Sequence, residues 1–230
     1  MNREQVVLGA GLFNDAEARR LESIGSRLAR KPAASTLATA ELEASISLVP
    51  SNAPDRQLAI TYILAEETTG IASAVESVLR LSDQDRLLLE RIAPAELLFH
   101  WEDEHLPFEG RGPAVPVFAA IPLDAASDMD MRALIDEMLR SHKDGLVARA
   151  REVGYYREAM AISRDSSGNS LYLLYLELRV ESFASMVSRL MNYPKTAFSA
   201  WWTPRYIQLV GKQLMERATS ETVLRKRAMA

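Results

Sequence analysis

Hydrophobic positions recur with strand-like and helix-like spacings through the first half of the chain. Apolar and polar residues alternate over 42–48, which predicts a strand with one solvated face. A nearly unbroken apolar run at 58–65 predicts a strand buried on both faces. The apolar spacing of 15–30 predicts an amphipathic helix. The full predicted series is strand 6–12, helix 15–30, strand 42–48, strand 58–65, a helix around 71–78, a short helix from 82 and a closing strand at 96–102.

The second half predicts the same series of elements. Its long first helix begins at a cap supplied by Ser127 or Asp128, and Thr203-Pro204 is typical of the start of its last helix. A Pro- and Gly-rich linker, 106–114, separates the halves. The other predicted elements are strand 115–123, strand 157–163, strand 170–178, a helix whose apolar stripe covers 183–190 and a closing strand at 222–227.

The two halves also share sequence. Tyr62 in the apolar strand of the first half aligns with Tyr175 in that of the second, 113 residues further on in a chain of 230. The same comparison places Val7 against Phe118 in the first strand of each half. A repeat of this size predicts two fused copies of one unit about a pseudo-two-fold axis, with any pocket between the copies.

The order of elements predicts the fold class. A βαββαβ series is the split βαβ, or ferredoxin-like, arrangement, in which both helices cover one face of an antiparallel sheet. The run 171–176 has no polar face, so the other side of its sheet must be covered as well. We predict an α+β protein in which two ferredoxin-like repeats, residues 1–105 and 115–230, pack sheet to sheet as a pseudo-dimeric α+β barrel. A gap between the sheets would be an apolar pocket.

Composition narrows the classes of function. The net charge of −4 argues against binding to nucleic acid, which requires clustered Lys and Arg. No apolar run approaches the roughly 20 residues that cross a bilayer, and the first residues are unlike a secretory signal. The absence of cysteine excludes disulfides, thiolate metal sites and a cysteine nucleophile. We therefore expect a cytoplasmic protein with neither a nucleic-acid nor a membrane partner.

Several segments resemble the dimeric α+β barrel superfamily, in particular its small uncharacterised members. The resemblance is carried by Gly-Tyr-Tyr-Arg-Glu-Ala-Met-Ala-Ile at 154–162, Leu-Tyr-Leu-Leu-Tyr-Leu-Glu at 171–177 and Val-Glu-Ser at 180–182. The segment Ala-Glu-Leu-Leu-Phe-His at 95–100 is similar to the last strand of such units. The superfamily includes cofactor-free monooxygenases, lactone isomerases, haem enzymes and proteins without known activity. The resemblance therefore implies a fold and leaves the activity open.

The segment from His100 to His105 is the densest cluster of functional side chains. In an extended strand His100, Glu102 and Glu104 would share a face, which fits either a hard-metal site or a His–carboxylate acid–base pair. A solvated strand end is the alternative, and one peptide does not supply the several segments that a metal site uses. We expect no bound metal. His142, flanked by polar residues, is predicted to lie at the surface rather than to bind haem.

Five aromatic residues are candidates for lining a ligand pocket, namely Tyr62, Tyr172, Tyr175, Trp201 and Trp202. A tyrosine in an apolar strand needs a partner for its hydroxyl, and a ligand could supply one. Filling of the core is the alternative interpretation. Trp201 and Trp202 belong to a stretch that only the second half contains.

These observations predict a small-molecule-binding protein or a cofactor-independent enzyme with an apolar cavity and an apolar ligand. For an enzyme, His100 and Tyr175 are the candidates for proton transfer on an aromatic or enolisable substrate. Acid–base chemistry and monooxygenase- or isomerase-type reactions stay open. The competing hypothesis is a non-catalytic protein whose outer helices mediate homo-oligomerisation. No cofactor is predicted.

Overall fold

The computed structural model describes residues 5–30, 42–50, 56–65, 70–76, 79–103, 115–164, 168–178, 183–211, 213 and 224–227. Its strands are β1 (Gln5–Asn14), β2 (Leu42–Pro50), β3 (Arg56–Ala65), β4 (Ala93–Pro94), β5 (Glu96–Glu102), β6 (Val115–Leu123), β7 (Tyr155–Arg164), β8 (Ser170–Leu178) and β9 (Leu224–Arg227). Its helices are α1 (Asp15–Arg30), α2 (Ile71–Glu76), α3 (Asp83–Glu90), α4 (Ala125–Ser141), α5 (Lys143–Val153), α6 (Phe183–Met191) and α7 (Ala197–Tyr206), the last followed by a π-helical turn, Ile207–Gly211. The chain divides into two compact units, one of Met1–Leu97 with Glu221–Ala230 and one of Leu98–Ser220.

The first unit is built on an antiparallel sheet with the strand order β4-β1-β3-β2-β9. Side chains alternate across β3. Ala59 and Ile63 belong to the apolar core that the sheet shares with its helices. Tyr62 lies on the other face of the strand and is also fully buried.

Asp85 connects two helices of the first unit. Its carboxylate accepts hydrogen bonds from Arg20 at 2.6 Å and Arg27 at 2.9 Å, both on α1. With Ser82 it also forms the capping box that begins α3. Although burial raises the pKa of Asp85, the hydrogen bonds from the two arginines and from Ser82 lower it to about 2.

The second unit contains a sheet with the strand order β5-β7-β8-β6. One face packs on the apolar sides of α4, α5 and α7, with Met131, Leu146 and Trp202 among the buried core residues. The opposite face is buried too, as Phe118 and Tyr175 have no exposed surface. The predicted α+β class, with two antiparallel sheets that carry helices, is therefore confirmed.

The closing strands differ from the prediction. The sequence predicted that 96–102 would close the first copy and 222–227 the second. Instead, β5 is the neighbour of β7 in the second sheet, and β9 pairs with β2 in the first. The two compact units consequently differ from the predicted division at residues 98–105 and 221–230. A strand's hydrophobic pattern specifies its buried face but not the edge on which its backbone finds a partner.

The strand registers shift the sequence-based alignment of the first strand of each half by one residue. Leu8 pairs with Tyr62 in the first sheet, and Phe118 pairs with Tyr175 in the second. Leu8 rather than Val7 therefore corresponds to Phe118. Both tyrosines are fully buried, as the sequence predicted.

Two helix boundaries were also predicted wrongly. The last helix begins at Thr196, whose hydroxyl accepts from the Ser199 amide at 3.1 Å, so Pro204 lies inside α7 rather than at its start. The long helix begins after Asp124, which caps it through the Ser127 amide at 2.7 Å. Several residues in each region have cap chemistry, and the hydrophobic spacing does not choose between them.

Candidate functional site

A β-bulge in β7 brings polar side chains to both faces of the second sheet. Tyr155 pairs with Leu178 and Arg157 with Glu177, so two steps along β7 match one step along β8. After the bulge, ordinary alternation directs Glu158 towards the helices and Arg157 away from them. The extra residue puts Tyr155 on the same face as Glu158.

Arg149, Tyr155 and Glu158 form a buried polar group on the helix-covered face. The exposed fractions of these residues are 6%, 3% and 3%. The guanidinium of Arg149, on α5, donates from Nη2 to the Tyr155 hydroxyl at 3.1 Å, and this hydroxyl is also hydrogen-bonded to the Glu158 carboxyl. Among the described residues, Glu158 Oε2 and Arg149 Nε have no hydrogen-bond partner. Because unsatisfied buried polar atoms are costly, these two atoms are the positions of the group at which water or a bound molecule would form further hydrogen bonds.

Aromatic rings surround this polar group. Along α7 the rings of Phe198, Trp202 and Tyr206 stack in series, with centroid separations of 5.9 and 5.0 Å. The Arg149 guanidinium lies 5.1 Å from the Phe198 centroid and 5.8 Å from that of Trp202. Tyr172 on β8 completes the wall, with its hydroxyl 3.1 Å from that of Tyr206. We call this set the Glu158 cluster, and its members are Arg149, Tyr155, Glu158, Tyr172, Phe198, Trp202 and Tyr206.

Burial determines the protonation of the Glu158 cluster. Removal from water raises the pKa of the Glu158 carboxyl to about 7, although the charge of Arg149 and the hydrogen bond with Tyr155 lower it. A carboxyl with this pKa exchanges its proton near neutral pH, where a general acid or base is most effective. Burial also raises the pKa of the Tyr155, Tyr172 and Tyr206 hydroxyls, which therefore stay protonated.

A second polar group occupies the opposite face of the same sheet. The guanidinium of Arg157, 1% exposed, lies 3.2 Å from the Glu177 carboxylate and 3.1 Å from that of Glu102. Tyr175 donates to Glu177 at 2.5 Å. Burial, with the charge of Arg157, lowers the pKa of His100 to about 4, so this imidazole is neutral at pH 7. We call these five residues the Arg157 network, in which one guanidinium lies between two carboxyl groups.

The structure distributes the sequence-predicted site residues over several places. Tyr172 and Trp202 belong to the Glu158 cluster. His100 and Tyr175, the two candidates for proton transfer, both belong to the Arg157 network. Tyr62 lies in the first unit. Within the second unit, the predicted residues therefore do not form a single site.

Trp201 has a different environment from Trp202. It is half-buried, stacks on His142 with a centroid separation of 4.0 Å, and donates from Nε1 to Glu137 at 3.1 Å. His142, predicted to lie at the surface, is half-buried beneath this ring. Trp201 thus packs α7 on the end of α4.

The sequence pattern did not identify five members of the cluster, namely Arg149, Tyr155, Glu158, Phe198 and Tyr206. The signal for Glu158 was the charged pair Arg157-Glu158 inside an otherwise apolar strand, because a buried charge is retained only where something stabilises it. Arg149 lies on a helix rich in charged residues, where an inward-facing arginine resembles its solvated neighbours.

A groove with a volume of about 350 Å³ lies at the junction of α4 and α5. The segment 139–145 forms one side, and Ala197 and Phe198 form the other. Phe198 is therefore common to the groove and to the Glu158 cluster.

As far as the described residues extend, no three His, Asp or Glu side chains lie together as metal ligands would. Glu104 and His105, from the predicted 100–105 cluster, lie outside those residues. In the same described ranges, every helix is too short or too polar to cross a membrane.

Comparison with known proteins gives weak similarities only. No family model and no curated protein matches the chain. Among solved structures, two proteins named "putative monooxygenase" are similar at 11% identity. The one from Fusobacterium nucleatum has a TM-score of 0.47 over 96% of this chain and 89% of its own. For the one from Lactobacillus acidophilus the values are 0.43, 97% and 94%. An anthrone oxidase-like protein is 12% identical, with a TM-score of 0.45 over 100% of this chain and 95% of its own.

Proposed function

We propose that this chain is a small-molecule-binding protein and a cofactor-independent acid–base enzyme, with the Glu158 cluster as its site. The proposal is carried by two buried atoms, Glu158 Oε2 and Arg149 Nε, which have no partner among the described residues and lie among aromatic rings. One atom is an acceptor and the other a donor, so together they fit a ligand that presents both kinds of group.

The walls of the cluster indicate the class of substrate. The rings of Phe198, Trp202 and Tyr172 favour a planar, apolar molecule. The guanidinium of Arg149 suits an oxygen atom that gains negative charge during the reaction. We infer an aromatic or enolisable substrate, such as a phenol or a ketone with an acidic C–H bond.

On such a substrate Glu158 would be the general base. Its carboxylate removes a proton from the carbon beside the carbonyl, and the electron pair of the C–H bond moves towards the oxygen, which becomes an enolate beside Arg149. Where the substrate is a β,γ-unsaturated ketone, this anion is a dienolate, and return of the proton from Glu158 to its γ-carbon moves the C=C bond into conjugation and completes an isomerisation. A monooxygenase-type reaction, the further alternative, starts from the same anion and requires dioxygen as a co-substrate. The pKa of Glu158, about 7, supports both proton removal and proton return.

We also infer that the chain is a tandem fusion of two related sequence repeats, 1–105 and 115–230, of the dimeric α+β barrel type, in which the last strand of each repeat pairs in the sheet of the other. The matching strand registers of the two sheets support this proposal. In those registers Glu158 corresponds to Ala44 and Tyr172 to Ala59. The first sheet thus lacks these groups, which favours one site per chain.

The proposal is tested with two probes on the purified chain. Binding is measured by calorimetry with 2-naphthol, a planar enol mimic. Proton abstraction is measured by NMR as deuterium exchange of 2-tetralone in D₂O. We expect the wild type to catalyse exchange and Glu158→Gln to lower the rate by about 100-fold or more, since it cannot accept the proton.

Ile162→Val is the matched control, because Ile162 is buried on the same face of β7 but is outside the Glu158 cluster. It should leave the exchange rate nearly unchanged. Equal rates for Glu158→Gln and the wild type would show that Glu158 is not the base. A wild type that neither binds 2-naphthol nor exchanges 2-tetralone would favour the non-catalytic alternative, which native mass spectrometry would examine as homo-oligomerisation.

A further inference from the structure

We propose that Phe198 is the specificity-determining residue of the site, because its ring separates the Glu158 cluster from the groove at the α4–α5 junction and so limits the length of the bound molecule. This inference rests on the proposed function of the cluster. According to this inference, the groove would hold the far end of an elongated aromatic ligand whose near end lies in the cluster.

The groove and the cluster lie one after the other along the same two helices. On α5, Gly145 lines the groove and Arg149, four residues later, belongs to the cluster. On α7, Phe198 lines the groove and Trp202, again four residues later, belongs to the cluster. Residues four apart lie on one helix face, about 6 Å apart along the axis. The two sites are thus neighbours, with Phe198 at their boundary.

Contacts on both sides hold Phe198 at this boundary. Towards the cluster, its centroid is 5.1 Å from the Arg149 guanidinium carbon and 5.9 Å from the Trp202 centroid. Towards the groove it packs on Gly145, where an added Cβ would come 2.6 Å from the Phe198 Cβ. The side chain is 5% exposed. The missing side chain at 145 therefore gives Phe198 the space in which it closes the cluster.

The groove has the volume of a small-molecule subsite, and its lining is partly apolar and partly polar. Its volume of about 350 Å³ lies in the usual range of small-molecule pockets, which begins at about 300 Å³. Leu139 and Ala197 give it apolar surface, and Arg140, Lys143 and Asp144 are charged lining residues. A shorter side chain at 198 would join this space to the cluster and admit a further ring.

The experiment compares binding of 2-naphthol and of the longer 6-phenyl-2-naphthol by calorimetry. We expect the wild type to prefer 2-naphthol. Phe198→Ala should improve affinity for the longer probe by on the order of tenfold relative to the shorter one, because an additional ring is buried. Phe198→Leu is the milder variant and should give a smaller gain in the same direction. If Phe198→Ala fails to fold, Phe198→Leu decides the outcome.

Two exposed alanines of α7 provide a matched pair of additional substitutions in the Phe198→Leu variant. Ala197 lines the groove and Ala200 does not. Adding Ala197→Trp to Phe198→Leu should fill the groove and abolish the gain for the longer probe, whereas adding Ala200→Trp should preserve it.

Each result supports or overturns the inference. The inference is supported if the gain in affinity for the longer probe is lost with Ala197→Trp and kept with Ala200→Trp. No relative gain in a folded Phe198→Leu protein overturns it, as does a gain that Ala197→Trp leaves intact. If neither the wild type nor any variant binds 2-naphthol, the proposed function itself is overturned. If they bind 2-naphthol but show no change in length preference, only this inference is overturned.

Discussion

Glu158 places a carboxyl group among apolar and aromatic side chains, where water does not solvate its anion. The bulge in β7 puts Tyr155 on the same face, and α5 supplies Arg149. Arg149 and Tyr155 do not fully offset the effect of burial, which still raises the pKa of Glu158 to about 7. The residue is thus held near its protonation midpoint at neutral pH, as the proposed proton transfer requires, and its anionic form costs stability.

This cost predicts a pH dependence of folding. The pKa of Glu158 is about 7 in the folded chain against a reference value of 4.5, so its stabilising contribution is complete below about pH 4.5 and is lost as the pH rises to 7. Glu158→Gln removes this titration. We expect the free energy of unfolding of the variant, relative to wild type, to rise by up to about 3 kcal/mol between pH 4.5 and 8. Urea denaturation at several pH values measures it, and a constant difference would contradict the raised pKa.

Single residues also show what the sequence could predict of the site. Tyr172 and Trp202 were identified because large aromatic residues with a polar atom stand out in apolar segments. That Tyr155 joins Glu158 on the same face of the sheet depends on one extra residue in a strand. A bulge has no hydrophobic period of its own, so the face of every residue before it could not be predicted.

At the scale of elements, Asp85 shows how one carboxylate positions two helices. It caps α3 and accepts hydrogen bonds from Arg20 and Arg27 on α1. We expect Asp85→Ala to lower stability by about 2 kcal/mol, from the lost cap and from ion pairs whose arginines are partly exposed. Asp83→Ala, in the same helical turn but exposed, should change stability by less than about 0.5 kcal/mol. Thermal unfolding compares the two, and equal effects would contradict a specific role for Asp85.

The elements themselves were largely predictable, and their ends were not. Hydrophobic patterns identified β2, β3, β8 and α1: polar–apolar alternation for β2, continuous apolar runs for β3 and β8, and helical spacing for α1. The break between α4 and α5 at His142 was missed, since apolar residues continue on both sides of it. Hydrophobic spacing reports which face is buried, whereas capping decides where the helix stops.

At the scale of the whole molecule, β9 comes from the end of the chain and pairs with β2. A chain shortened to residues 1–220 should therefore lose protection at the edge of the first sheet. Among residues 43–46, we expect the amides that bond to β9 to exchange with deuterium about tenfold faster or more, because their partner strand is gone, whereas amides that bond to β3 keep their acceptors. Amides of β8, central in the second sheet, serve as the control. Unchanged exchange at 43–46 would contradict the pairing of β2 with β9.

The placement of β9 also has a consequence during synthesis on the ribosome. The strand β5 is made before the other strands of its sheet, so the second sheet has its edge partner available from the start. The first sheet lacks its edge partner β9 until much later, because about 160 residues separate β3 from β9. At 5–20 residues per second, the translation of this segment takes roughly 10–30 s. During that interval the edge of β2 lacks its partner, and such edges are where nascent chains aggregate. Slow or interrupted translation should therefore harm the first unit more than the second.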